Sequence, residues 1–123
     1  MIIPDVNLLI YAYTVNSPSH PQARTWWEDV LSSEVMVGLP WVAILGFLRM
    51  STNRHVFEVP LAPGVACGDV RDWLSRTNVS ILQPGDRHAA IVFGLLERLG
   101  TAGNLTTDAH LAALAIEYQA ELH

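Results

Sequence analysis

The chain has no lysine: all seven of its basic residues are arginine, set against twelve acidic ones, for a net charge of −5. That absence excludes phosphate loops of the Gly-x-x-x-x-Gly-Lys kind and any chemistry that runs through a lysine Schiff base. Cysteine is nearly missing as well. Cys67, alone, makes neither an internal disulfide nor a zinc site, and reads as a small core residue. Charged residues are sparse at 15%, while half of the chain is hydrophobic, a balance that favours a compact globule over disorder. Long apolar runs are lacking too. The longest uncharged apolar run, Val35 to Leu48, contains Pro40 and falls short of the roughly 20 apolar residues that a membrane-spanning helix needs. The N-terminus shows no basic segment followed by an apolar one, so a cytoplasmic protein without a secretory leader or membrane contact is expected. At 123 residues, one domain spanning 1–123 around one core is expected. The acidic balance weighs against a nucleic-acid partner held by a basic surface, unless carboxylates hold divalent cations that meet the phosphates.

What is present is an alternation of short apolar strands with amphipathic helices, the pattern of a parallel α/β sheet. Ile2-Ile3-Pro4 reads as a first strand, Val6 to Tyr13 as a helix, and Asn16-Ser17-Pro18 as a loop. A second helix starts near Pro21 with Ala23, Trp26, Trp27, Val30 and Leu31 on one face. Val35-Met36-Val37 reads as the second strand. The helix after Pro40 is expected to turn Ile44, Leu45 and Leu48 inward and to end near Thr52. Gly64 to Arg76 suits a fourth helix and Val79 to Leu82 a third strand. A fifth helix, capped by Asp86 and closed by Gly100, carries Ala89, Val92, Phe93, Leu96 and Leu99 on one face. The last helix runs from Asp108 to about Tyr118, and Ala120 to Leu122 begins a fourth strand.

Ligands of open α/β sheets bind outside the carboxyl ends of the strands. Asp5 directly follows the first strand, and Asp108 follows the loop Gly103 to Thr107 at the start of the last helix. In a parallel sheet both can reach one crevice. Paired carboxylates repel unless a cation lies between them, and Mg²⁺, hard and content with one or two carboxylates beside its waters, is the natural one, with Mn²⁺ an alternative. Such an ion polarises a phosphoryl oxygen and activates water. A plainer reading stands beside this one, because aspartate is a preferred helix cap and both residues precede helices. Asn7 and Thr107 either support a carboxylate or a water in the crevice, or finish a helix start. His110 is either a proton carrier beside Asp108 or a solvated helix histidine. Arg49 suits a phosphate contact or a salt bridge. Arg54 with His55 makes a small phosphate spot but not a patch. His20, His88 and His123 lack metal-ligand spacing. The four tryptophans, Trp26, Trp27, Trp41 and Trp73, read as core or dimer contacts rather than base-stacking platforms.

Three segments carry a family resemblance. Ile3-Pro4-Asp5-Val6-Asn7 resembles the opening strand and first acidic residue of PIN domains. Phe47-Leu48-Arg49-Met50-Ser51-Thr52-Asn53-Arg54 resembles their third-helix segment, and the long run from Gly100 to Ala115 is similar to the motif bearing another acidic residue. The likeness runs the length of the chain and points to the VapC-type ribonuclease toxins of VapBC toxin–antitoxin systems. It implies a three-layer sandwich with a central, mostly parallel sheet of about four strands flanked by helices. It also implies a metal-dependent endoribonuclease acting on RNA, a cognate VapB-type antitoxin that silences it, and a homodimer. The family's metal-binding, catalytic aspartates fall on Asp5 and Asp108. There are two departures. Gly46 stands where many PIN domains place a glutamate, three residues before the arginine. The chain ends at His123, where the family continues with a serine and an acidic pair, so the resemblance implies a C-terminal end cut short of the family's final loop and tail.

The competing classes separate on single residues. Haloacid-dehalogenase-like phosphatases resemble Asp-x-Asp after strand one and use a later lysine; here the turn reads Asp5-Val6-Asn7 and no lysine exists. Response-regulator domains fail on the same missing residue. No Gly-x-Gly-x-x-Gly supports dinucleotide binding. The serious alternative is a catalytically weakened or inactive PIN-like module that only binds a partner protein, which Gly46 and the short C-terminus both favour.

Overall fold

Pro4 and Pro40 end the two central strands, because proline donates no hydrogen bond to a neighbouring strand. The computed structural model describes residues 1–14 and 17–123; Asn16 of the expected loop lies outside them. Strand β1 (Ile2–Ile3) leads into α1 (Val6–Tyr13) and α2 (His20–Leu31), then β2 (Val37–Pro40), α3 (Trp41–Ser51), α4 (Pro63–Ser75) and β3 (Val79–Leu82). Helix α5 (His88–Leu99), a 3₁₀ turn over Gly103–Leu105, α6 (Thr106–Tyr118) and β4 (Glu121–Leu122) complete the order. The strands form one sheet in the order β3-β2-β1-β4, and every neighbouring pair is parallel. Among the described residues no helix is long and apolar enough to cross a membrane.

Helices cover both faces of this sheet, as a parallel sheet requires. On one face Val37, Leu39 and Val79 pack with α1 to α4 around Trp27, Phe47 and Trp73. The Trp73 ring lies 4.8 Å from Phe47 and 5.5 Å from Trp27, and its indole N–H donates to the Tyr13 hydroxyl at 2.9 Å. The other face is smaller: Ile3, Leu82, Leu111 and Leu114, with Val42, Ala115 and Ala120 beside them. Gly38 makes that face possible. A Cβ there would lie 2.4 Å from the Leu82 side chain.

Three local expectations change. The second strand begins at Val37, not Val35. Val35 and Met36 are exposed lead-in, and the strand runs on through Gly38-Leu39-Pro40. The buried Asn78 amide sets this register by donating to the carbonyls of Val30 (3.0 Å) and Val35 (2.8 Å). On α3 the inward side is Ala43, Ile44, Gly46 and Phe47, while Leu45 is 57% exposed. Phe47, docked on Trp73 and Tyr13, fixes the helix rotation. Helix α5 is not capped by Asp86. Its cap position is Arg87, which makes no side-chain bond, and a glutamate from α6 holds its start. Gly100 does close α5, at φ 71°, the left-handed conformation glycine adopts freely.

Candidate active site

Asp5 sits at the carboxyl end of β1 in extended backbone, half-buried, and its Oδ1 accepts the N–H of Val6 at 2.7 Å. The capping reading therefore holds for Asp5, with one carboxylate oxygen engaged. It fails for Asp108. Helix α6 starts two residues earlier, at Thr106. Its cap position is Leu105 with no side-chain bond, and Asp108 lies exposed within the first turn. A carboxylate there faces the partial positive charge of the helix start. One apolar cluster relates the two aspartates: Leu111, three residues after Asp108, and Ile3, two residues before Asp5, are both buried in it.

The supporting candidates separate. Asn7 is exposed in the first turn of α1. Thr107 and His110 line a groove of about 650 Å³ with Val42, His88, Val92 and Phe93. Asp108 opens on a neighbouring groove of about 410 Å³, beside Leu95, Arg98 and Leu99 of α5. Arg49 stands in the last turn of α3, exposed. Trp41, expected as a core or dimer contact, is not core: it is 47% exposed at the start of α3. Gly46 is buried against α1, and a Cβ there would lie 2.7 Å from Val6 Cγ2. The residue next to Asp5 occupies the space a side chain at position 46 would need, so α1 and α3 meet where many PIN domains carry a glutamate. Among the described residues no three histidine, cysteine, aspartate or glutamate side chains gather into a metal cluster.

Beside this lies a chain of polar contacts that the sequence reading did not pick out. Glu117, its side chain 8% exposed, accepts the N–H of Gly85 at 3.1 Å and meets His88 Nδ1 at 2.9 Å, both through Oε1. His88 Nε2 in turn lies 2.8 Å from His110 Nδ1. Since Oε1 accepts, His88 donates to it from Nδ1, and one proton is shared between Nε2 of His88 and Nδ1 of His110. Burial, and then His88, hold the His110 imidazole below its ordinary pKa. The expectation of a solvated helix histidine gives way to one locked by neighbours. The available signal was a lone glutamate in the apolar run Leu111 to Tyr118, two turns after His110 on the same helix face.

The PIN domain family model matches residues 2–122. The chain belongs to the PIN domain family. Among curated relatives, it is 49% identical to Ribonuclease VapC33 of Mycobacterium tuberculosis (strain CDC 1551 / Oshkosh) over 123 residues, all of this chain and 86% of that one. It is 39% identical to Ribonuclease VapC37 of M. tuberculosis (strain ATCC 25618 / H37Rv) over 122 residues, 99% of this chain and 85% of the relative. With VapC ribonuclease Mb2897 of Mycobacterium bovis the identity is 36% over 120 residues, covering 98% and 82%. As a PIN domain, the chain has the expected three-layer arrangement, with four parallel strands between α1–α4 and α5–α6.

Proposed function

We propose that this PIN domain, acting as one unit over its whole length, is a divalent-metal-dependent endoribonuclease toxin of a toxin–antitoxin pair. What supports the reading is that Ile3, shortly before Asp5, and Leu111, shortly after Asp108, are buried in one apolar cluster, in a chain similar to proteins named ribonucleases. Asp5 has one oxygen beyond its cap bond, and Asp108 carries no capping duty. Two hard oxygen donors fit Mg²⁺ or Mn²⁺, which bind through one or two carboxylates and keep their waters. When bound, such an ion lowers the pKa of water and polarises a phosphoryl oxygen. The protein's own part is positional. The α1 start fixes the Asp5 rotamer through Val6, α6 presents Asp108 from a helix packed on the strands, and His110 lines the groove it shares with Thr107. The reading extends to a cognate VapB-type antitoxin, a homodimer and a cytoplasmic setting.

Cleavage of labelled RNA with Mg²⁺, with EDTA, and by Asp5→Asn and Asp108→Asn variants tests this. Cleavage is expected only for the unaltered protein with metal, and activity that survives both chelation and substitution refutes it. The packing of Gly46 on Val6 favours a second reading, a PIN-like module that only binds a partner protein. It expects tight partner binding and no metal-dependent cleavage.

A further inference from the structure

Arg49, Arg54 and His55 line one groove of about 700 Å³ at the far end of α3, together with Thr52, Asn53 and Glu58. Two of the other five arginines are paired with a carboxylate four residues away, Arg24 with Glu28 at 2.6 Å and Arg76 with Asp72 at 3.3 Å, and among the described residues no two of the remaining three share a groove with each other as Arg49 and Arg54 do. Arg49 and Arg54 form no ion pair among the described residues, although Glu58 shares the rim of their groove. Unpaired guanidinium groups grouped together in a chain of net charge −5 are a local reversal of its field. The groove is also set in place. Asn53 Oδ1 accepts the N–H of His55 at 2.8 Å, and its carbonyl accepts those of Val56 and Phe57 at 3.0 Å. Thr52 is tied to the Leu48 carbonyl at 2.7 Å.

Position along α3 says what passes there. Gly46 touches Val6, the residue after Asp5. At about 1.5 Å of rise per residue, Arg49 lies about 4.5 Å further along the helix, which ends at Ser51 just before the turn that carries Asn53 and Arg54. A strand with one phosphate near Asp5 reaches this groove within a few nucleotides. We infer that Arg49, Arg54 and His55 form a subsite for backbone phosphates of single-stranded RNA, flanking the phosphate that is cut. The inference rests on the ribonuclease reading and adds to it a path for the substrate. Two guanidinium forks with Thr52 and Asn53 beside them suit phosphate oxygens and read no base, so the subsite holds the strand without selecting sequence.

Fluorescence anisotropy of a labelled single-stranded RNA oligonucleotide, in EDTA so that nothing is cut, tests the subsite across a salt series. Arg49→Gln/Arg54→Gln is expected to bind roughly tenfold more weakly at low salt, and its plot of log affinity against log salt to flatten by about 1.4, two single-strand phosphate contacts. Arg49→Lys/Arg54→Lys keeps both charges and is expected to restore most of the slope, a recovery that separates charge from shape. Absent RNA binding by the unaltered protein, or a slope equal in all three proteins, overturns the subsite. So does a defect that appears only with an acidic polypeptide, which assigns the groove to a protein contact. Metal-dependent cleavage is measured in parallel: an unchanged slope with cleavage intact removes the subsite alone, and a changed slope without cleavage removes the nuclease reading alone.

Discussion

The two faces of the sheet are built differently, and the candidate aspartates fall one on each side of that difference. The α1–α4 face is a continuous apolar core in which Trp27, Phe47 and Trp73 are all but fully buried. The α5–α6 face buries a small cluster around Ile3 and Leu114, and α5 itself has no fully buried residue, with Phe93 60% exposed. What α5 lacks in apolar contact is supplied by the Glu117–His88–His110 chain. Asp5 thus caps a helix of the well-packed half, though Ile3 before it belongs to the smaller cluster, and Asp108 stands on a helix of the half that depends on polar bonds. Core packing gives depth of stability, and buried polar contacts give a defined geometry at higher risk when one partner is lost.

Truncating the core should show the largest effect. Trp73→Ala removes a fully buried indole and the donor to Tyr13, and is expected to cost about 3–5 kcal/mol in urea denaturation, a large share of the roughly 5–15 kcal/mol that holds an ordinary domain together. Glu117→Ala comes next. It strands the His88 donor, while water can take up the exposed Gly85 N–H, for about 1–3 kcal/mol, and hydrogen exchange should quicken in α5 and the first turns of α6 while α1–α4 stay protected. Equal quickening on both faces would show that the two halves do not open separately.

Smaller effects sharpen the comparison at the α1–α3 contact and at the aspartates. Gly46→Ala gains about 1 kcal/mol of helix propensity but forces a Cβ against Val6. A net loss of roughly 1–2 kcal/mol is expected from overpacking, and Gly46→Glu should lower stability further without raising cleavage. Asp5→Asn should barely move the melting temperature, since asparagine caps as well as aspartate, yet abolish cleavage. A variant that melts normally and still cuts RNA removes Asp5 from the chemistry.

Much of the fold was legible because its signals are local. Pro4 before Asp5, the Val79–Leu82 run, and Gly100 after Leu99 each mark a boundary by their own backbone chemistry, and β1, α1, β3 and the close of α5 stand where these residues put them. The failures are positions where a distant group decided. Val35-Met36 has strand composition, but Asn78 ties that segment back from 43 residues away. Leu45 fits an inward stripe until Phe47 finds Trp73. Asp86 is a good cap by type, but α5 starts at His88, which Glu117 holds from α6, and the cap position falls on Arg87. In the site, Asp5 could be read from its place after a strand. The cap reading of Asp108 could be discarded only once α6 was seen to start at Thr106.

By itself the sequence determined the alternation of strands and helices, and with it the parallel sheet and the residues that stand at strand ends, because periodicity and turn chemistry act over a few residues. It also set the chemical menu: carboxylates, arginines and histidines, with no lysine. Only the tertiary structure decided which of them meet. The link from Glu117 to His88 spans 29 residues, and the contact of Gly46 with Val6 joins two helices. Such encounters depend on how whole elements pack, which no local pattern of residues specifies.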